Sequence, residues 1–467
     1  MRFRNQFAEK FRGIKAAYTT PAITPYWIGT YETSAGRFLV QAGTTAVYVD
    51  DGTTQTNITG TAPTGATTDR WTGGVLNGVL IMNNGVNDPT YWAGVVATPL
   101  ATLTGWTAGW KSDVIRPFKN YLVCLGNTRG AAKKIHNVGW SSAADPGSIP
   151  ASFTAAVAND AGDQDLAETT GPMVDCLPMG DVNIIYKQDA RYAMQYIGGT
   201  FVFRFQRLPG NDGLLARGCV VNTPKGHVFM SNGDVKIHSG GEATSLADGR
   251  IRKWLFSTMD TTNAKNSFLC LNPQKTEVWV CFPSYGQTNC DTAAVWNWES
   301  DTWGIRAVSG VTYGTTGLIA ANLVSETWIS DTDPWNTDAT NWIENQFNQN
   351  DSRLILSTST PQIGLADTGT TDFGVVFSWF LEKRGIQLDD PDSVKTISAS
   401  RPQFSALPGT VITVSHGSAM TSDATPTYSG TATHTVGTTN WAYAFANGGR
   451  YMAYKLASSD PQPVTKA

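Results

Sequence analysis

The segment from Thr276 to Arg306 constrains the fold of this chain more than any other. Its first ten residues, TEVWVCFPSY, alternate apolar and polar side chains in the manner of a half-buried strand. The second part, AVWNWESDTWGIR from Ala294, reads as a strand, a polar turn at 299–302 and a return strand that begins at Trp303. Two strands joined by a polar turn, with tryptophans at the corners, are typical of the outer hairpin of a β-propeller blade. The segment therefore predicts radially repeated β-sheets.

Similar strand pairs, each closed by a turn of Gly, Asn or Asp, recur along most of the chain. They begin near positions 37, 78, 121, 182, 227, 277 and 318. Their spacing of roughly 40–60 residues overlaps the ~40–50 residues of a propeller blade. One further segment, Ala247–Phe256, has helical periodicity, with Ile251, Trp254 and Leu255 on one face. The predicted fold class is all-β: a β-propeller of about six or seven blade-like units with an additional C-terminal β module.

Shifts in composition suggest four regions. We predict an N-terminal arm or docking segment at 1–35, the β-propeller at 36–344, a polar linker or loop at 345–372, and the C-terminal β module at 373–467. The strands of the last region either form a small separate sandwich or supply a last blade that closes the ring with N-terminal strands.

Charge and cysteine usage exclude several classes of protein. The net charge of −4 is unlike that of a generally basic nucleic-acid binder. The one basic run is near the N-terminus, and we expect a solvated arm or a short amphipathic helix there: Arg2, Arg4, Lys10, Arg12 and Lys15. This run has no apolar core of the kind a secretory signal needs, and no stretch approaches the ~20 apolar residues of a membrane span. The six cysteines form no CxxC pair and suggest no disulfide framework, which favours synthesis in the cytoplasm.

No catalytic motif stands out. The chain has no GxSxG and no HExxH, and we expect the paired His227 and His238 to be structural. Two clusters of oxygen ligands, Asn159–Asp165 and Asp331–Asp338, lack the spacing of an EF-hand loop, so solvated turns are the first interpretation and calcium sites the alternative. We therefore expect no enzymatic activity, no cofactor and no metal.

Glycoside hydrolysis is the enzymatic alternative that the sequence leaves open. Ser142–Gly147 resembles the Asp-box of sialidase hairpins, although no tryptophan ends it. A sialidase also needs several arginines around the substrate carboxylate, and four candidates occur together in the sequence: Arg191, Arg204, Arg207 and Arg217. Sequence alone does not show whether these side chains converge.

A series of phrases between about residues 75 and 310 resembles a family of bacteriophage proteins. The phrases are WSSAADPGSIP from Trp140, DVNIIYK from Asp181, YIGGTFVF from Tyr196, SGGEATSLADGR from Ser239, NPQKTEVW from Asn272 and VWNW from Val295. They are similar to the tail nozzle proteins of short-tailed phages, also called tail tubular B, hub or DNA-stabilisation proteins. The match is to a pattern of phrases across about half the chain, not to a catalytic motif.

The resemblance implies a structural virion protein. In that family a β-propeller subunit forms a closed ring, typically of six copies, below the portal and adaptor. The ring extends the tail tube, carries tail fibres or spikes, and retains the packaged double-stranded DNA until ejection. For this chain the resemblance implies a homo-oligomer in the phage tail, bound to the adaptor ring and traversed by DNA.

Two long polar segments are candidates for the loop that gates such a channel. The first, Ser141–Met179, carries five acidic residues that we name as candidate lumen or gate residues: Asp145, Asp160, Asp163, Asp165 and Glu168. The second is Asn345–Asp372. A receptor- or glycan-binding β-propeller is the alternative function, and contacts between subunits are the alternative role for both segments.

Overall fold

The computed structural model describes residues 1–4, 7–33, 36–199, 201–320, 352–388, 390, 392–446, 448–462 and 464–465. Its contacts divide the chain into two compact units. The propeller unit comprises Ala17–Trp298 and Ala307–Gly364, and the C-terminal unit comprises Met1–Ala16, Glu299–Arg306 and Leu365–Ala467.

Five four-stranded antiparallel sheets, here called blades 1 to 5, follow one another along the propeller unit. Blades 1 and 2 consist of these strands: Trp27–Thr33, Gly36–Ala42, Val47–Asp50 and Gln55–Asn57; Thr72–Leu76, Val79–Asn83, Thr90–Trp92 and Ala101–Thr102. Blades 3 to 5 consist of these: Lys111–Phe118, Tyr121–Arg129, Ala132–Trp140 and Gly162–Asp165; Met173–Met179, Val182–Lys187, Arg191–Tyr196 and Phe203–Arg207; Val220–Thr223, Gly226–Ser231, Asp234–His238 and Thr244–Ser245.

A seven-stranded sheet follows the five blades. Its strand order is Phe268–Asn272, Glu277–Phe282, Cys290–Asn297, Thr302–Leu318, Ser352–Thr358, Ile363–Gly369 and Gly13–Ala16. Thr302–Leu318 is the longest strand of this sheet, with 17 residues. Within this strand, Gly310 adopts a left-handed backbone conformation with a φ of +57°. The pairing of the strand with Ser352–Thr358 shifts register just beyond this residue, between Val311 and Tyr313. These sheets confirm the predicted all-β propeller.

Alternation along each strand places the core between neighbouring blades. In Tyr121–Arg129, Val123 and Leu125 pack with blade 4, whereas Leu122 and Cys124 pack with blade 2. Successive side chains of a strand point to opposite faces, so one central strand contributes to two cores. The first strands of blades 2 to 5 contact one another in succession, as the innermost strands around a propeller axis do.

Contacts between the end and the beginning of the unit close the propeller. The Thr312 hydroxyl donates a hydrogen bond to the Pro25 carbonyl (2.5 Å), and Arg70 Nη1 donates to the Thr312 carbonyl (2.9 Å). The ring centroids of Trp27 and Tyr313 lie 6.5 Å apart. Closure leaves few unpaired strand edges and makes the unit stiff.

Three local predictions are corrected. Residues 1–35 are not one arm, because Trp27–Thr33 pairs along its length with Gly36–Ala42. The linker predicted at 345–372 contains the strands Ser352–Thr358 and Ile363–Gly369, since the buried side chains of Leu354, Ile355 and Leu356 outweigh their polar neighbours. The α-helix spans Arg252–Thr258, several residues later than predicted, because the backbone N–H groups of residues 250–252 all turn back to one carbonyl, that of Ala247.

Two short 3₁₀ helices, Ala264–Asn266 and Pro273–Lys275, complete the elements of the propeller unit. The strand pair that begins near 318 has its predicted return strand at 326–330. That return strand, the second oxygen cluster at 331–338 and residues 345–351 of the second gate candidate lie outside the described residues. No helix in the described part of the chain has the length and apolar character needed to cross a membrane.

The C-terminal unit has its own sheet and core, as expected for the additional C-terminal β module. The sheet order is Trp379–Ile386, Tyr451–Ser458, Val411–Ala419 and Thr427–Thr435. Two short pairs accompany it: Arg2–Arg4 with Phe7–Glu9, and Ser405–Ala406 with Val464–Thr465. Trp379, Ile412, Val414 and Leu456 form the centre of its core.

Two of the basic N-terminal residues, Arg2 and Lys10, are buried and do not belong to a solvated arm. Arg2 is buried in an ion pair with Asp367, and Arg306 pairs with Asp372 at 2.6 Å in the same unit. The Lys10 ammonium is also buried and donates to the carbonyl of Asp460 at 2.6 Å. Burial lowers the pKa of Lys10 to about 8, although the charge of Asp460 opposes that shift. These cations therefore hold the unit together.

Candidate functional site

Charged side chains near the propeller axis join the blades. Arg116, on the first strand of blade 3, donates from Nε to Asp175 Oδ1 (3.0 Å) and from Nη2 to Asp175 Oδ2 (2.9 Å). Asp175 belongs to the first strand of blade 4, and it also accepts from the backbone N–H of Gly218, just before blade 5 (3.0 Å). Burial alone would raise the pKa of Asp175, but the charge and hydrogen bonds of Arg116 hold it below the usual value. The pair has the geometry of a structural joint.

A chain of hydrogen bonds joins blades 4 and 5. The hydroxyl of Tyr186 lies 2.8 Å from His227 Nδ1 and 2.7 Å from His238 Nε2. His238 Nδ1 accepts from the backbone N–H of Gly240, so its Nε2 carries the proton and donates to the tyrosine oxygen. His227 Nε2 faces the Pro178 carbonyl at 3.1 Å and donates to it, so its Nδ1 accepts from the tyrosine hydroxyl. The expected pairing of His227 with His238 is confirmed in the strand register.

His227 and His238 are both neutral near pH 7. Burial lowers the pKa of His227 to about 4, and it lowers that of His238 to about 3, with a contribution from the charge of Arg191. Each ring nitrogen and the hydroxyl has a protein partner, and the three side chains are buried. This arrangement satisfies buried polar groups and supports the structural interpretation of the two histidines.

Four of the five acidic residues predicted for a gate lie on or beside the outer strand of blade 3, whereas Asp145 lies in the loop that precedes this strand. Asp163 and Asp165 are on the strand Gly162–Asp165 and both accept hydrogen bonds from the Asn137 amide, at 2.8 and 2.6 Å. Asp160 accepts from the Tyr121 hydroxyl at 2.8 Å. Asp145 and Glu168 are exposed. The segment is thus less of a loop than predicted, and its place beside a channel stays a prediction.

The positions of the described side chains can be compared with two alternatives from the sequence, a metal site and a sialidase site. Among the described residues no group of three or more His, Cys, Asp or Glu side chains is placed to hold a metal ion. The four arginines do not converge. Arg191 is buried and donates to the Pro209 carbonyl at 2.8 Å, Arg207 donates to Asn211 at 2.8 Å, and Arg217 faces Asp113 at 3.7 Å. Arg204 instead lines a groove on blade 4.

Sequence reasoning missed a groove on the face of blade 4 that looks toward blade 5. We call it the blade 4 groove; its volume is about 390 Å³. Its apolar floor includes Val182, Ile184 and Leu208. Its polar residues are Gln195, Arg204, Gln206 and Ser239. The alternation of polar and apolar residues along 203–207 was visible in the sequence, but every strand with one exposed face shows that signal.

The C-terminal unit carries a row of exposed aromatic side chains. Along the extended segment 441–446, Trp441, Tyr443 and Phe445 are 49%, 74% and 58% exposed, while the three intervening alanines are buried. Backbone hydrogen bonds between Ala442 and Ser400, at 2.9 and 3.0 Å, anchor the segment. We call these three residues the aromatic row.

No family model and no curated protein matches the chain. Solved structures similar to it include the WD40 β-propeller domain of Doa1, at 10% identity and a TM-score of 0.40, covering 77% of this chain and 97% of that one. Virginiamycin B lyase from Staphylococcus aureus is 8% identical, with a TM-score of 0.41 and coverage of 77% and 99%. The chain spans 40% of the length of the extracellular domain of the one-component system BT4673 from B. thetaiotaomicron, at 9% identity and a TM-score of 0.42, over 76% of this chain. These distant likenesses carry no argument about function, and the β-propeller assignment rests on the strand pairing above.

Proposed function

We propose that this protein is a ring-forming structural subunit of a bacteriophage tail, of the nozzle or hub type. The aromatic row is the observation that carries the proposal, and the resemblance of the phrases between residues 75 and 310 agrees with it. In this proposal the protein is not an enzyme. It belongs to the virion, binds the adaptor ring, and lets double-stranded DNA pass through the channel of the ring.

The aromatic row has the character of a contact surface between subunits. Large aromatic residues are enriched in the buried cores of protein–protein interfaces, and contiguous exposed apolar patches mark such sites. An aromatic side chain buries ~150–250 Å², so covering the exposed parts of these three would bury roughly 300–400 Å². At ~25 cal/mol per Å², that burial stabilises each interface by about 8 kcal/mol before the cost of association. The row is therefore large enough to matter in assembly.

Backbone anchoring keeps the aromatic row in one conformation. The Ala446 N–H donates to the Ile397 carbonyl at 2.8 Å, and Nδ1 of the buried His416 donates to the Ala444 carbonyl. Gly430 lies so close to the backbone of Phe445 that a Cβ atom there would sit 2.1 Å from its carbonyl oxygen. A surface held in this way loses little conformational entropy when a partner covers it.

The stiffness of the propeller unit and the net charge of the whole chain support the same role. The buried charges of the propeller unit join neighbouring blades, as Arg116 and Asp175 do, which suits a stiff ring component. The net charge of −4 does not favour gripping phosphates, and DNA must slide through such a channel rather than bind it.

The test is the native mass of the purified protein together with negative-stain images, alone and mixed with a portal–adaptor complex. We expect a six-fold ring with a central hole, formed either alone or on the adaptor. A combined variant, Trp441→Ser, Tyr443→Ser and Phe445→Ser, should lose the ring while it stays folded. The matched control is Phe201→Ser, which removes a 78% exposed aromatic residue of the propeller unit and should leave the ring intact. A wild-type monomer that ignores the adaptor would refute the proposal.

A further inference from the structure

The blade 4 groove exists because blade 5 is shorter than blade 4. The fourth strand of blade 4, Phe203–Arg207, has five residues, whereas that of blade 5, Thr244–Ser245, has two. The outer part of the blade 4 face is therefore left without a covering strand. Its volume of about 390 Å³ falls in the ~300–1,000 Å³ range of small-molecule sites.

Strand register brings the polar residues of the groove together. Gln195 lies directly opposite Arg204, and Ala193 lies opposite Gln206. Arg204 and Gln206 are two residues apart on one strand, so their side chains leave the same face. Ser239 reaches the groove from the end of the neighbouring blade. These residues come from rigid strands rather than from a loop, apart from the serine.

The polar side chains of the groove have no partners within the part of the chain that the structure describes. Neither Arg204, Gln195, Gln206 nor Ser239 takes part in a side-chain hydrogen bond or ion pair among those residues. Nearby arginines are engaged: Arg207 donates to Asn211. A guanidinium that only donates and two amides that donate and accept are grouped over an apolar floor without internal partners, so they are free to form hydrogen bonds with a ligand.

We propose that the blade 4 groove binds a sugar residue that carries a carboxylate. Arg204 is the only charged residue among those that line the groove, all of which the structure describes, and its planar fork matches a carboxylate. The amides of Gln195 and Gln206 both donate and accept, as ring hydroxyls require. The floor of Val182, Ile184 and Leu208 suits the apolar C–H face of a pyranose ring. The groove lies in the propeller unit and the aromatic row in the other unit, so the two proposals rest on different residues.

The probes are sodium glucuronate, glucose and sodium acetate, titrated into the full-length protein with binding followed by isothermal calorimetry and NMR. We expect glucuronate to bind about tenfold or more tightly than glucose, which lacks the carboxylate, and than acetate, which lacks the ring. Its affinity should fall as salt is added. Equal affinity for glucuronate and glucose would overturn the role of Arg204, and equal affinity for glucuronate and acetate would overturn the sugar. No glucuronate binding at millimolar concentration would refute the site.

Variants connect the binding to the groove. Arg204→Gln should weaken glucuronate binding about tenfold and leave glucose unchanged, because only the charged contact is lost. Arg207→Gln is the matched control, since Arg207 lies on the same strand, is exposed, and is not among the lining residues. Both side chains are exposed, so both variants should unfold at the wild-type temperature. Unchanged glucuronate binding in the Arg204 variant, or an equal loss in the Arg207 variant, would contradict the assignment.

Discussion

Replacing Tyr186 by phenylalanine removes one oxygen atom from the junction between blades 4 and 5. That oxygen accepts from His238 Nε2 at 2.7 Å and donates to His227 Nδ1 at 2.8 Å. Neither histidine can compensate by moving its proton. His238 Nδ1 already accepts from Gly240 N–H, and His227 Nε2 already donates to the Pro178 carbonyl. A change of tautomer would break one bond for each bond it repaired.

The size of the effect follows from burial. Tyr186 and His227 are fully buried and His238 is 3% exposed, so water does not replace the lost partner. A buried donor or acceptor left without a partner costs about 1–3 kcal/mol. With one of each left behind, we expect Tyr186→Phe to lower the free energy of unfolding by about 2–6 kcal/mol.

Urea unfolding followed by tryptophan fluorescence measures this loss. Tyr192→Phe is the control, because Tyr192 is also buried in blade 4 but its hydroxyl makes a single long hydrogen bond, 3.5 Å to Thr169. That change should cost less than about 1 kcal/mol. If the free energy of unfolding falls equally in the two variants, the hydrogen-bond chain does not stabilise the blade junction.

Two further predictions concern charge. Burial lowers the pKa of His227 to about 4 and of His238 to about 3, below the 6.5 of the unfolded chain, so the unfolded state binds more protons as the pH falls. We therefore expect the free energy of unfolding to have its full value above about pH 6.5 and to be lower by about 2 kcal/mol per histidine at about pH 5. Urea unfolding at several pH values measures this loss, and a free energy that does not change with pH would contradict the prediction. Asp175→Asn leaves the Arg116 guanidinium without its counter-charge and should cost about 3 kcal/mol in the same assay. Asp181→Asn, which removes a 97% exposed partner from a surface ion pair, should cost less than about 0.5 kcal/mol, and equal losses would contradict a joint at the axis.

Most of the secondary structure could be predicted from local patterns in the sequence. The pattern around Val278 and Val280 and the Asn-Gly step at Asn232 are properties of neighbouring residues, and both give the predicted hairpins. The strand Glu277–Phe282 is buried on both faces, however, and not half-buried as predicted. The boundaries of strands were harder to predict from the sequence. The apolar run at Leu354–Leu356 is short and surrounded by polar residues, and only its burial identifies it as a strand.

The candidate sites were beyond sequence reasoning, for a geometric reason. Tyr186 meets His227 and His238 across 41 and 52 residues, and Gln195 meets Arg204 because two strands pair in one register. Periodicity tells which side chains share a face of a strand, but not which strand lies opposite that face.

The sequence by itself determined that this chain forms β-sheets repeated as propeller blades, because alternation and turn residues act over a few neighbours. Tertiary structure decided that Gly13–Ala16 lies beside Ile363–Gly369, that the C-terminal strands build their own sheet, and that the shorter fifth blade leaves a groove on the fourth. These features depend on contacts between segments far apart in the chain, whose energies no local pattern encodes.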